Sequence, residues 1–201
     1  MLKAGLTGSI AVGKSFVLDV MLELGCRVLD ADLTAREVVA KGTPGLAEIV
    51  SAFGDDVLTD AGELDRKRMA EIVFADASKR ALLNSIVHPR VIAAQDEWIS
   101  EAERSDPQGI AVIDAALMIE SGGYRRFDRL IVVWCLPAIQ LKRLIARDDL
   151  SEADARRRIA AQMSQDEKKD YADDLSDTSR GFDDTRQQTE DLVRRLRKLA
   201  E

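Results

Sequence analysis

Histidine, cysteine and aromatic residues are scarce in this sequence: 201 residues carry one histidine, two cysteines and 4% aromatic side chains. His88, Cys26 and Cys135 lie far apart with no CxxC spacing, and one histidine cannot complete a zinc site with two distant thiols. Both cysteines sit in apolar surroundings, Gly25-Cys26-Arg27-Val28 and Val133-Trp134-Cys135-Leu136, and read as buried thiols of a reducing compartment. No apolar run approaches the ~18 residues of a membrane span. The first residues run straight into Gly8 and Gly13-Lys14-Ser15, unlike a signal peptide. The expectation is a cytoplasmic protein without a membrane partner. Cations are also in the minority, 29 Lys and Arg against 36 Asp and Glu, for a net charge of −7. A nucleic-acid binder carries the opposite balance, so nucleic acid is not expected as a partner. An anionic ligand then needs cations and backbone N–H groups gathered locally.

What is present is an α/β pattern. Residues 2–6 read as a short buried strand and 26–30 as a second strand, while 110–114 and 129–135 are continuous β-rich apolar runs of the kind covered on both faces in a parallel sheet. Helical stretches separate them, beginning with Lys14 to Leu24 and another from near Leu33. Residues 41–105 lack a convincing strand and read as a helical insertion. Within it, Thr43-Pro44-Gly45 caps a helix over Leu46–Phe53, Asp65 caps Arg66–Phe74, and Ser78–Arg104 is helical around a break at His88-Pro89. Residues 138–169 form an Arg-rich helical lid, restarted at Ser151 with Asp154 in the place of the usual Glu or Gln of a capping box. Residues 183–201 make an amphipathic helix with Leu192, Val193, Leu196 and Leu199 on its apolar stripe. The whole reads as one domain, with core 1–40, 106–137 and 170–201. Trp98 and Trp134 are expected in the core or at a seam between subdomains.

One motif carries chemistry. Gly8-Ser9-Ile10-Ala11-Val12-Gly13-Lys14-Ser15 matches G-x-x-x-x-G-K-[ST], directly after a strand and before a helix. Glycines let such a loop turn its N–H groups inward on phosphate oxygens, and the helix N-terminus adds partial positive charge. Lys14 then reaches the β- and γ-phosphates of a nucleotide such as ATP, and the Ser15 hydroxyl is a ligand for Mg²⁺. Asn84 is the chain's only asparagine, so no Asn-Lys-x-Asp guanine-reading motif exists and a GTPase switch is not expected. The second strand ends in Asp30-Ala31-Asp32, at the strand ends where α/β folds bind ligands. Asp32 either orients and deprotonates an attacking hydroxyl or caps the helix starting near Leu33. Asp114 ends an apolar strand and either holds Mg²⁺ or caps; Glu120 shares this ambiguity. Three consecutive residues cannot share one face of a helix, so Arg156-Arg157-Arg158 includes a solvated face.

The motifs in order resemble the dephospho-CoA kinase family over nearly the whole chain. The resemblance rests on Leu6-Thr7-Gly8, Val28-Leu29-Asp30-Ala31-Asp32 with Ala35-Arg36, Phe53-Gly54 and His88-Pro89. It continues through Asp114 to Glu120, Gln140-Leu141-Lys142-Arg143 with Arg147, Ala160-Ala161-Gln162 and Ala172-Asp173-Asp174. It implies a P-loop NTPase three-layer fold with a central parallel sheet, a helical substrate-binding insertion and a helical lid. It also implies transfer of the γ-phosphoryl of ATP to the ribose 3′-hydroxyl of dephospho-CoA, by a monomer or weak homo-oligomer. Asp32 would face that hydroxyl, and Arg143 and Arg147 would be lid arginines reaching the phosphates. Thr7, Arg36 and His88 would belong to the acceptor side, and residues 8 to 16, including Phe16, to the nucleotide. The chain departs from the family pattern at Ser9, Ala11 and Val12 in a loop usually richer in glycine, and at Phe16, where Thr is common. It departs again at Ala116, where proline is usual, and at Asp177–Gly181, which replaces an Asn-containing turn.

Overall fold

Strand β1 (Leu2–Thr7) leads through the glycine loop into helix α1 (Lys14–Glu23), and β2 (Arg27–Asp30) leads into α2 (Ala31–Glu37). Three helices follow, α3 (Pro44–Phe53), α4 (Arg66–Ala75) and α5 (Ala77–Ser105), before β3 (Ile110–Asp114) and β4 (Arg129–Trp134). Helices α6 (Pro137–Asp148), α7 (Glu152–Ala160) and α8 (Gln165–Lys169), strand β5 (Asp174–Asp177) and helix α9 (Phe182–Ala200) complete the chain. The computed structural model describes residues 1–201.

The strands form one sheet in the order β2-β3-β1-β4-β5, and β1 pairs in parallel with both β3 and β4. The register sets Leu6 beside Asp114 and also beside Ile131, so β1 and β3 end within one residue of each other at the start of the glycine loop, and β4 runs on beside the loop to Trp134. One sheet face buries Leu2, Ala4, Leu6, Val112, Ile131 and Val133 in a cluster with Val17 and Met21 of α1 and Leu192, Val193 and Leu196 of α9. The other face is also buried at Ala111, Ile113, Leu130 and Val132. Continuous apolar runs are what such two-sided burial demands.

The chain divides into two units, Met1–Leu29 with Glu101–Glu201, and Asp30–Ser100. The helical unit begins at Asp30, ahead of the expected start at residue 41, because the stretch after α2 supplies Val38 and Val39 to its core. There they meet Ile49, Val57, Met69 and Ile86.

Several expectations need correcting. Helix α5 runs unbroken through His88-Pro89 for 29 residues. Pro89 forfeits one backbone bond, while the Arg90 guanidinium donates to the Ile86 carbonyl at 2.7 Å and the turns to either side bury Ile86 and Ile99. Helix α2 starts at Ala31 rather than near Leu33. Leu199 is 58% exposed and leaves the α9 stripe to Leu192, Val193 and Leu196. Trp98 and Trp134 are half-buried, and the Lys169 ammonium sits 3.8 Å over the Trp134 ring. Strand β5 had no counterpart in the sequence pattern. No helix is long and apolar enough to cross a membrane.

Candidate active site

The loop from Gly8 to Gly13 is shaped by sterics at both ends. A Cβ on Gly8 would stand 2.6 Å from the Val133 carbonyl, so only glycine lets the loop leave β1 against β4. Gly13 has φ +92° at the N-cap of α1, a backbone region that L-residues rarely adopt. No side chain caps α1, so its first-turn N–H groups remain available to a bound anion. A pocket of about 670 Å³ opens over this loop, lined by Gly8 to Ser15 and by Ala116, Arg143, Arg147 and Gln162.

Within this unit the fold gathers most of the nucleotide-side residues. The Lys14 ammonium pairs with the Asp114 carboxylate, which β3 delivers from the neighbouring strand. Ser15 is exposed at the first turn of α1. Arg143 donates to the Thr178 hydroxyl and carbonyl, both at 2.8 Å, and to the Val12 carbonyl at 3.3 Å. It therefore lines the pocket and also ties the loop to the turn after β5. Arg147 pairs with Asp148 at 2.8 Å, and Asp148 also accepts from Arg158 at 2.9 Å. The Arg147 hydrogen bond first, then the charges of Arg147 and Arg158, hold the Asp148 carboxyl below the ordinary carboxylate range. Arg158 thus braces the partner of Arg147, whereas Arg156 and Arg157 pair along their own helix with Glu152 and Asp154. Burial raises the Cys135 thiol pKa beside this turn.

Three residues turn out to have structural duties. Thr7 is wholly buried and donates its hydroxyl to the Ala116 carbonyl at 3.2 Å, so it supports the pocket wall instead of facing a ligand. Glu120 is the counter-ion of the fully buried Lys168 at 2.8 Å, so its carboxylate neutralises an interior ammonium. The Phe16 side chain packs against Phe182 with ring centroids 4.8 Å apart and the rings tilted by 55°, leaving its backbone to the loop.

Asp32, Arg36 and His88 belong to the helical unit, and all three side chains are exposed. The cap of α2 is Asp30, whose Oδ1 accepts from the N–H groups of Asp32 (2.8 Å) and Leu33 (3.0 Å). Capping therefore falls to Asp30, and the Asp32 carboxylate is left without a partner inside the chain. Sequence reasoning missed Lys168, fully buried with its ammonium on the Ala116 carbonyl at 2.9 Å and on Glu120. The charged run Gln165-Asp166-Glu167-Lys168-Lys169 gives no sign that its fourth residue is interior. It also passed over Thr178, Gln140 and Gln165 as groups that fasten the loop.

The family model described as dephospho-CoA kinase matches residues 2–184. The chain is 43% identical over 194 residues to the dephospho-CoA kinase of Listeria innocua, covering 96% of both. A solved protein of Thermus thermophilus superposes with a TM-score of 0.82 at 26% identity, over 97% of each chain. The solved dephospho-CoA kinase of Campylobacter jejuni superposes with a TM-score of 0.64 at 25% identity, over 98% of this chain and 97% of that one. Glycine loop, Lys14–Asp114 pair, parallel sheet and these likenesses agree, and the chain belongs to the dephospho-CoA kinase family.

Proposed function

We propose that this chain transfers the γ-phosphoryl group of ATP to the ribose 3′-hydroxyl of dephospho-CoA, giving coenzyme A and ADP. The observation that carries the reading is the pocket over the Gly8–Ser15 loop, where backbone N–H groups, Lys14, Arg143 and Arg147 meet in a chain of this family. In a chain of net charge −7, that pocket is a local concentration of cations suited to polyphosphate.

In the reaction the bond from the γ-phosphorus to ADP breaks, a bond from the 3′-oxygen forms, and the hydroxyl proton passes to Asp32. The transition state of phosphoryl transfer is loose, so Asp32 needs only to aim the oxygen and take the proton late. Its position in the first turn of α2, with capping left to Asp30, suits that role. Lys14, Arg143 and Arg147 oppose the charge that spreads over the transferred group. Arg36 and His88, exposed in the helical unit, are assigned to the acceptor. Ser15 and Asp114 present the hard oxygen donors that Mg²⁺ takes; they would hold the ion, which when bound neutralises charge on the β- and γ-oxygens. The same reading places the enzyme in the cytoplasm as a monomer or weak homo-oligomer.

An ADP-release assay with dephospho-CoA, adenylate and gluconate as separate acceptors tests this. Turnover with dephospho-CoA alone is expected. Preference for either other acceptor would replace the substrate assignment, and ADP release independent of acceptor would make the chain an ATPase.

A further inference from the structure

The interior of the glycine loop carries no glycine: Ser9, Ile10, Ala11 and Val12 lie between Gly8 and Gly13, and Ala11 stands at φ +60°. An L-residue does not rest in that left-handed region unless its surroundings hold it there. The residue before it is held on both sides. The Ile10 N–H donates to Gln162 Oε1 at 2.8 Å, and the Ile10 carbonyl accepts from Gln140 Nε2 at 2.8 Å. Ser9 adds a bond from its hydroxyl to the Met163 carbonyl at 3.3 Å.

Gln140 is 2% exposed and is itself held. Its Oε1 accepts from Gln165 Nε2 at 2.8 Å, and Gln165 Oε1 accepts from the Cys135 N–H at 2.9 Å. The two ends of this relay are backbone groups with one role each: an N–H can only donate and a carbonyl, with no hydrogen, can only accept. Both glutamine orientations follow from that, and the relay runs one way, from the end of β4 through α8 and α6 to the loop. A misplaced amide anywhere along it would leave buried polar atoms unpaired.

We infer that Gln140, Gln162 and Gln165 are positioning residues for ATP. They hold Ile10 so that Ala11 stays left-handed and the following N–H groups remain aimed at the phosphates. The inference rests on the loop being the ATP phosphate site, as proposed above.

The test uses Gln140→Met, which keeps the length of the side chain and removes its hydrogen bonding. The KM for ATP is expected to rise about tenfold, which corresponds to about 1.4 kcal/mol, while the KM for dephospho-CoA stays within about twofold. Adding Ala11→Gly to Gln140→Met is expected to recover part of the loss, because glycine reaches φ +60° without help. Equal effects of Ala11→Gly in the two backgrounds, or an unchanged ATP KM in Gln140→Met, would overturn the inference. Gln162→Met, at a half-buried pocket-rim residue, covers the case in which the core variant does not fold. Amide exchange at Ile10 in the nucleotide-free protein is expected to quicken at least about tenfold there, and unaltered exchange would show that Gln162 does not hold Ile10 and would overturn the inference for that residue. Lys14→Met separates the two readings. If it stays active, the loop is not the phosphate site; if it is inactive while the glutamine variants bind ATP normally, only the relay fails.

Discussion

In the function proposed above, the nucleotide side and the acceptor side are built on opposite principles. Around the Gly8–Ser15 loop nearly every group is fastened: Lys14 to Asp114, Arg143 to Thr178 and Val12, Ile10 to two glutamines. In the helical unit, Asp32, Arg36 and His88 stand exposed on short or solvent-facing helical surface. A phosphate chain presents the same oxygens whatever nucleoside bears it, so its cradle is prepared in advance and catalysis gains from donors already aimed. The acceptor hydroxyl needs one carboxylate in line, and that carboxylate must be left uncommitted. Neighbouring aspartates show the division most economically: Asp30 spends its carboxylate on the α2 N-terminus, and Asp32 keeps its own.

The largest effect is expected at Lys14. Lys14→Met removes a cation from phosphates that gain charge during transfer, and turnover should fall by about 10³-fold with the melting temperature preserved. Asp32→Asn should lower turnover at least about 10²-fold, the scale of lost general-base help, while ATP affinity and melting temperature stay unchanged. Asp30→Ala should do the reverse, costing about 0.5–2 kcal/mol of stability through the lost cap. Normal turnover in Asp32→Asn would break the contrast between the two aspartates.

The lid sharpens the comparison at a smaller scale. Residues 138–169 read from the sequence as a helical lid, but Gln140 and Lys168 are buried at its two ends. Slowed hydrogen exchange on binding a non-hydrolysable ATP analogue with acceptor should therefore be confined to about residues 146–162, with the ends protected throughout. Because Asp148 joins Arg147 to Arg158, Arg158→Ala should retain part of the turnover defect of Arg147→Ala, instead of none.

The smallest effect concerns a thiol away from the chemistry. Burial pushes the Cys26 thiol from its ordinary 9.0 up to about 11, so iodoacetamide should leave it unmodified at pH 8 in the folded protein and label it after unfolding. The folded state keeps this proton longer than the unfolded state does. The associated stability is therefore whole below pH 9.0 and lost as the pH rises through about 11.

These contrasts also mark what the sequence could reveal. Strands β1, β3 and β4 and the phosphate loop were legible because two-sided burial writes continuous apolar runs and because the loop's glycines obey local sterics. Strand β5 was not, since Asp-Leu-Ser-Asp has no strand pattern and owes its extended form to pairing with β4. Pro89 misled because a local rule predicts a break, while burial of Ile86 and Ile99 carries α5 across it. Likewise the burial of Lys168 and the fastening role of the glutamines were not legible, for a polar residue's partners 25 to 130 positions away leave no trace in its neighbours. Asp32 could be singled out, but its freedom from capping needed the first turn of α2 to be seen.

A single-turnover experiment with γ-labelled ATP and excess enzyme tests the central claim most directly. The label should move to the ribose 3′-oxygen of dephospho-CoA, in parallel with ADP formation, and Lys14→Met should abolish that transfer. Label released as inorganic phosphate at the same rate with and without dephospho-CoA would contradict it.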